Sequence, residues 1–240
     1  MINSFWFNGR NSFSFGIGII DKVEYPVIQE EIELIPVEGR KKGSLTRKTG
    51  NYKDLQFDLN LKIFDIKRYK DRQREVNLWL NDIKDNRLFF DDYREKCYKV
   101  KNVICDKISD EKQANAILKV TFNCEPFLYK TEEYWQTIIT NNYDIFYIGD
   151  LEGSPNLKLT LPSSIQNISL IINGEEIQLK SVSDFIYIDS ELIEILDNNN
   201  QSISNKMIGN FPTLRNGYNK ISWIGNIEKI EILNNTIFVG

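Results

Sequence analysis

The groups that could do chemistry in this 240-residue chain are carboxylates, because histidine is absent. Without imidazole there is no Ser-His or Cys-His pair, and the commonest general acid/base and metal ligand is missing. Adjacent acidic pairs stand at Glu30-Glu31, Asp91-Asp92, Glu132-Glu133 and Glu175-Glu176. A glycosidase needs two carboxylates facing one another across ~5–10 Å. Neighbours on a strand point to opposite faces, so none of these pairs makes that site by itself. They read as solvated surface, where Asp and Glu usually lie. Cys97, Cys105 and Cys124 form no CxxC and leave one thiol over in any pairing scheme. That usage suits small buried side chains in a reducing compartment, with Cys97–Cys105 as the one cross-hairpin disulfide to consider. Asp197-Asn198-Asn199-Asn200 lacks the Gly and the distant Glu of a calcium loop. The expected complement of metals and cofactors is none.

One basic cluster stands out, Arg40, Lys41 and Lys42 between Gly39 and Gly43, followed by Arg47 and Lys48. It lacks the GxxxxGK[ST] spacing of a phosphate loop. The net charge of -4 argues against a dedicated, sequence-specific nucleic-acid binder. Three readings stay open for this cluster: a solvated hairpin or loop, a docking surface for an acidic neighbour, or a surface facing DNA. Among the aromatics, Trp79 reads as core. Trp135, Tyr218 and Trp223 offer a sugar-stacking platform, set against ordinary core or interface packing.

The elements that must position these groups are mostly strands. Leu55, Phe57, Leu59, Leu61 and Ile63 alternate with polar residues, which puts five apolar side chains on one sheet face. Ala116, Leu118, Val120, Phe122 and Cys124 repeat the pattern, with Pro126 as the expected stop. Shorter strands are expected at 13–20, 31–36, 87–90 and 98–104. One helix is expected over 65–85, where Tyr69, Val76, Trp79, Leu80 and Ile83 recur at three- and four-residue spacing. Asp65 would cap its start and Asp85-Asn86 would end it. From Tyr143 onward short strands alternate with turn signals, among them Asn173-Gly174, whose positions both tolerate the positive φ of a type I′ hairpin. Asn198 to Asn205 reads as an exposed loop rich in Asn, Ser and Gln.

The expected fold class is mainly β. A domain of a sheet plus one helix would occupy 1–130, a connector 131–142, and a β-sandwich 143–240. Hydrophobic residues at 41% and aromatics at 12% suffice for real cores. No apolar run approaches the ~20 residues of a membrane helix, and 1–9 lack the pattern of a signal peptide. The expectation is a soluble protein made in the cytoplasm.

An ordered set of fragments resembles the distal tail protein (Dit) family of long-tailed bacteriophages. Phe7-Asn8-Gly9 with Ser14-Phe15-Gly16-Ile17 is similar to that family's opening. Ile35-Pro36, Gly39-Arg40, Gly43-Ser44-Leu45 and Gly50-Asn51-Tyr52 resemble its next segment. Trp79-Leu80 with Arg87-Leu88-Phe89-Phe90-Asp91-Asp92 resembles a third, although Asn86-Arg87 stands where a Gly is common. Phe122 to Phe127 matches the end of the family's N-terminal domain. Gly149-Asp150, Ser154-Pro155, Ile172-Asn173-Gly174, Tyr187-Ile188-Asp189, Phe211-Pro212-Thr213-Leu214 and Gly217 to Ile221 resemble its galectin-like (jelly-roll) C-terminal domain. The resemblance implies a non-enzymatic ring, typically a hexamer, in the virion tail tip of a phage or prophage. The ring would join the tail tube protein to the tail-associated or fibre protein and anchor receptor-binding proteins. Two other functions are weighed against it: a carbohydrate-binding module for host recognition using Trp135, Tyr218 and Trp223, and a cell-wall hydrolase.

Overall fold

A computed structural model describes residues 3–64, 69–106, 109–111 and 115–240. They divide into two compact units, 1–131 with Gly240, and 132–239. The expected helix start at Asp65, with Lys67 and Arg68, lies outside the described residues.

Unit 1 contributes β1 (Phe5–Phe7), β2 (Arg10–Asn11), β3 (Ile17–Ile19), β4 (Glu30–Ile35), β5 (Leu45–Tyr52) and β6 (Leu55–Ile63). Helix α1 (Tyr69–Asn81) follows, then β7 (Arg87–Phe90), β8 (Lys96–Cys105), β9 (Ser109–Glu111) and β10 (Asn115–Lys130). The main sheet is antiparallel in the order β2-β1-β7-β8-β10-β6-β3, with β9 also paired to β10. The alternation in β6 decides its inner face: Leu55, Phe57, Leu59, Leu61 and Ile63 are buried, and β10 answers with Leu118, Val120, Phe122 and Cys124. Helix α1 covers this core with Val76, Trp79 and Leu80. The Trp79 indole stacks on Phe5 at 5.7 Å and on Phe15 at 4.3 Å, and its Nε1 donates to the Phe7 carbonyl at 3.1 Å. Each such large side chain contributes roughly 1.5–3 kcal/mol by burial.

Three expectations are corrected here. Strand β10 does not stop at Pro126 but runs on to Lys130. Register shifts between Asn123 and Leu128 let the bulged ladder accommodate a residue without an N–H. The helix ends at Asn81, ahead of Asp85, because a distant side chain closes it. Asn8, at φ 49° in the β1–β2 turn, donates to the carbonyls of Trp79 (2.9 Å) and Asp82 (2.6 Å). Its Oδ1 accepts from Lys84 N (2.9 Å) and Asp85 N (3.0 Å), so one amide takes up the Trp79 carbonyl of the last turn and pins the loop that leaves the helix. Cys97 and Cys105 both lie on β8, eight residues or about 26 Å apart along an extended strand, which rules out their pairing. All three cysteines are free, and burial pushes the Cys97 thiol up to about 11 and Cys124 up to about 12.

Unit 2 contains β11 (Gln136–Ile138), β12 (Tyr143–Tyr147), β13 (Asn156–Thr160), β14 (Gln166–Ile172), β15 (Glu175–Val182) and β16 (Phe185–Asp189). Then come β17 (Glu194–Asp197), β18 (Met207–Ile208), β19 (Gly217–Ile224) and β20 (Lys229–Leu233). They form two five-stranded antiparallel sheets, β11-β20-β13-β16-β17 and β12-β19-β14-β15-β18. One apolar core draws on both, from Leu157, Ile186 and Ile230 on one side to Ile145, Leu170 and Ile221 on the other. The arrangement is a β-sandwich. The stretch expected as a connector supplies β11, whose two exposed polar residues hide its single inward Ile138 from any periodicity. Asn173 and Gly174 take φ 53° and 87° at the β14–β15 turn, as that turn type requires. The buried Tyr147 ring passes so close to Gly149 that a Cβ there would lie 2.2 Å from its hydroxyl oxygen.

Candidate assembly interface

One element of unit 1 stands apart from its core. Among the described residues strands β4 and β5 pair only with each other, forming a separate two-stranded sheet. The register sets Ile32 opposite Lys48 and Leu34 opposite Thr46 on one face, and Glu33 opposite Arg47 and Ile35 opposite Leu45 on the other. Leu34 is 66% exposed, Ile32 56% and Leu45 46%. The sequence alternates as a core strand does, yet no core receives it. A lone two-stranded ribbon is marginal in water, and the outer edges of both strands offer backbone donors and acceptors to another chain.

The ribbon is nevertheless well organised. Thr49 Oγ1 donates to the Glu31 carbonyl at 3.2 Å beside the left-handed Gly50 (φ 81°). Lys48 Nζ pairs with Glu30 at 2.5 Å, a contact that raises the lysine's pKa. At the root, Tyr52 meets Phe127 edge to face at 4.9 Å. Nearby, burial and a hydrogen bond to Asp92 push the Tyr25 phenol up. Apolar side chains therefore stay in water on a ribbon whose base is fixed.

The sequence-marked basic residues belong to this same element. Arg40, Lys41 and Lys42 occupy its exposed tip loop, while Arg47 and Lys48 stand on β5 with side chains on opposite faces. Sequence reasoning found the charges but missed Ile32 and Leu34, whose signal was the Glu-Ile-Glu-Leu alternation of β4, and Leu45 on β5, which carried none.

The three aromatics marked for sugar stacking do not come together. Tyr218 and Trp223 lie on β19 five residues apart, hence on opposite faces. Tyr218 is 79% exposed and meets Phe146 edge to face at 5.0 Å, whereas Trp223 is buried in the sandwich core. Trp135 lies just before β11 and packs against the other sheet, with the Lys158 ammonium 3.9 Å from its ring centroid and Tyr187 at 6.5 Å. The acidic pairs are likewise dispersed into ordinary contacts. Asp91 accepts from Ser4 and Arg94, Asp92 from Tyr25, Glu132 from Tyr134, and Glu133 from Thr236. Glu175 faces Arg215 at 3.4 Å. Among the described residues no group of three or more His, Cys, Asp or Glu is placed to hold a metal ion, and no helix is long and apolar enough to cross a membrane.

No protein-family model and no curated protein sequence matches the chain. Solved structures do. The crystal structure of SPP1 Dit, described as a paradigm of the hub adsorption apparatus in phages infecting Gram-positive bacteria, aligns over 97% of this chain and 98% of its own. Its TM-score is 0.70 at 12% identity. A chain of the phage p2 baseplate in its activated conformation with strontium aligns over 97% and 96%, with TM-score 0.50 and 8% identity. Aligned over nearly all of both chains, this protein has the fold of SPP1 Dit.

Proposed function

We propose that the chain is a structural, non-enzymatic hub subunit of a phage or phage-derived tail tip. Copies of unit 1 form a ring, with six as the expected number, that joins the tail tube protein to the tail-associated or fibre protein. Unit 2, read as a galectin-type sandwich, anchors receptor-binding proteins, and the assembled location is the virion. The observation that carries this reading is the β4–β5 ribbon. It leaves Ile32, Leu34 and Leu45 in solvent on a two-stranded sheet that a neighbouring copy would complete. A rotational ring joins two different patches on adjacent subunits, and stable contacts of that kind bury on the order of 1,200–2,000 Å². The likeness to SPP1 Dit supports the same reading.

The test is mass by light scattering together with negative-stain imaging, alone and beside tail proteins. The expected result is a closed ring that Leu34→Asp reduces to monomers. A wild-type chain that stays monomeric in both settings would remove the proposal. The carbohydrate reading loses its support with the dispersal of Trp135, Tyr218 and Trp223.

A further inference from the structure

The β16–β17 connection, Ser190 to Ile193, places two large apolar side chains in water, Leu192 at 72% and Ile193 at 67% exposure. Ile193 also holds a left-handed backbone, φ 58°. That conformation is strained for a β-branched residue and normally falls to Gly, Asn or Asp. Burial elsewhere can offset such strain, but this side chain has little. The loop is not slack either. Asp189 Oδ1 accepts from the backbone N–H of Glu191 (3.1 Å) and Leu192 (2.9 Å), which fixes the turn from within. A rigid, strained, apolar tip is what pre-organised recognition calls for.

Charge says what kind of surface it fits. Asp189, Glu191 and Glu194 flank the tip, Asp184 and Asp197 lie toward the other end of the same hairpin, and from Ser181 to Asn205 there is no Lys or Arg. An anionic membrane or wall polymer would be repelled by that collar. We infer that the Leu192–Ile193 tip is a docking knob for a different protein of the tail, one that offers an apolar socket rimmed by Lys or Arg. The inference rests on the hub reading above and goes further by naming the contact on unit 2.

The test uses tail particles assembled with this chain carrying a photo-crosslinking amino acid at position 192. The expected product joins it to another tail protein through a peptide bearing Lys or Arg, with yield falling between about 0.05 and 0.5 M salt. Ile193→Asn relaxes the backbone, so the isolated chain should melt a few degrees higher, about 2–4 °C per kcal/mol recovered. The same variant should lose crosslinking at 192 by about tenfold or more. Higher stability with lost docking cannot arise from misfolding. Crosslinks only between copies of this chain, crosslinks only to lipid or wall polymer, none in assembled particles, or an Ile193→Asn chain that melts lower or crosslinks as before would each overturn the inference and leave the ring untouched. Absence of the chain from tail particles would remove the hub reading together with it.

Discussion

The chain contains two hairpins that look alike from within. In β14–β15, Ile168, Leu170, Ile172, Ile177 and Leu179 alternate with polar residues around a turn closed by Gly174 at φ 87°. In β4–β5, Ile32 and Leu34 alternate with Glu31 and Glu33, and the tip is turned by Gly39 at φ 76° and Gly43 at φ 77°. The first buries its apolar face in the sandwich core, and the second leaves its own in water. Local pattern fixes the strand and its register. It does not say which surface covers it, because that surface can belong to another molecule.

Substitution should separate the two hairpins most sharply at the middle of the apolar row. Leu170→Ala empties a fully buried site and should cost about 2–5 kcal/mol in urea unfolding followed by Trp223 fluorescence. A cost below 1 kcal/mol would mean that the sandwich core is not tightly packed at that point. The turns come next. Gly174→Val forces a branched side chain into the left-handed region and should cost about 1–2 kcal/mol. Gly39→Val meets the same strain with open space around it, yet should move global stability by less than about 0.5 kcal/mol, since the ribbon can yield locally. Equal losses at both glycines would break the comparison.

These cases show where the sequence was readable. Strand β6 matches its alternation residue for residue because all five apolar side chains meet one core. Strand β5, Leu-Thr-Arg-Lys-Thr-Gly-Asn-Tyr, carried no such signal, since it is held by backbone pairing to β4 rather than by burial. The end of α1 lay hidden because the group that terminates it, Asn8, stands more than seventy residues away in sequence. The failure of the aromatic platform was legible all the same. The odd spacing of Tyr218 and Trp223 already assigns them to opposite faces of any strand containing both.

Acid offers a handle on unit 1 that is independent of either hairpin. The Arg87 guanidinium, hydrogen-bonded to Asp85 at 2.7 and 2.8 Å, holds that carboxyl below the usual range against the opposing effect of burial. A depressed folded-state pKa stabilises above the unfolded value of about 3.9, and the benefit is lost as pH falls through the folded value. Asp85→Asn should therefore destabilise unit 1 at neutral pH and flatten its acid unfolding limb below about pH 4. The neutral-pH cost should be modest, about 0.5–1 kcal/mol, because the pair is partly exposed. An acid limb identical to wild type would show that other carboxylates control it.

The smallest effect on the isolated chain is the most informative for function. Leu34→Ser removes a side chain that is already two-thirds in water, so monomer stability should change by less than about 0.5 kcal/mol. Amide hydrogen exchange then locates the missing surface. In the free chain the amides of β4 and β5 should exchange orders of magnitude faster than those of Leu170 and Ile172, because a two-stranded ribbon without a core opens locally. On ring assembly the ribbon should gain protection, and the Leu34→Ser chain should fail to gain it at equal concentration. Ribbon amides already as protected as β14 in a monomer would mean that the hairpin is stable by itself, and that its exposed leucines and isoleucines do not wait for a neighbour.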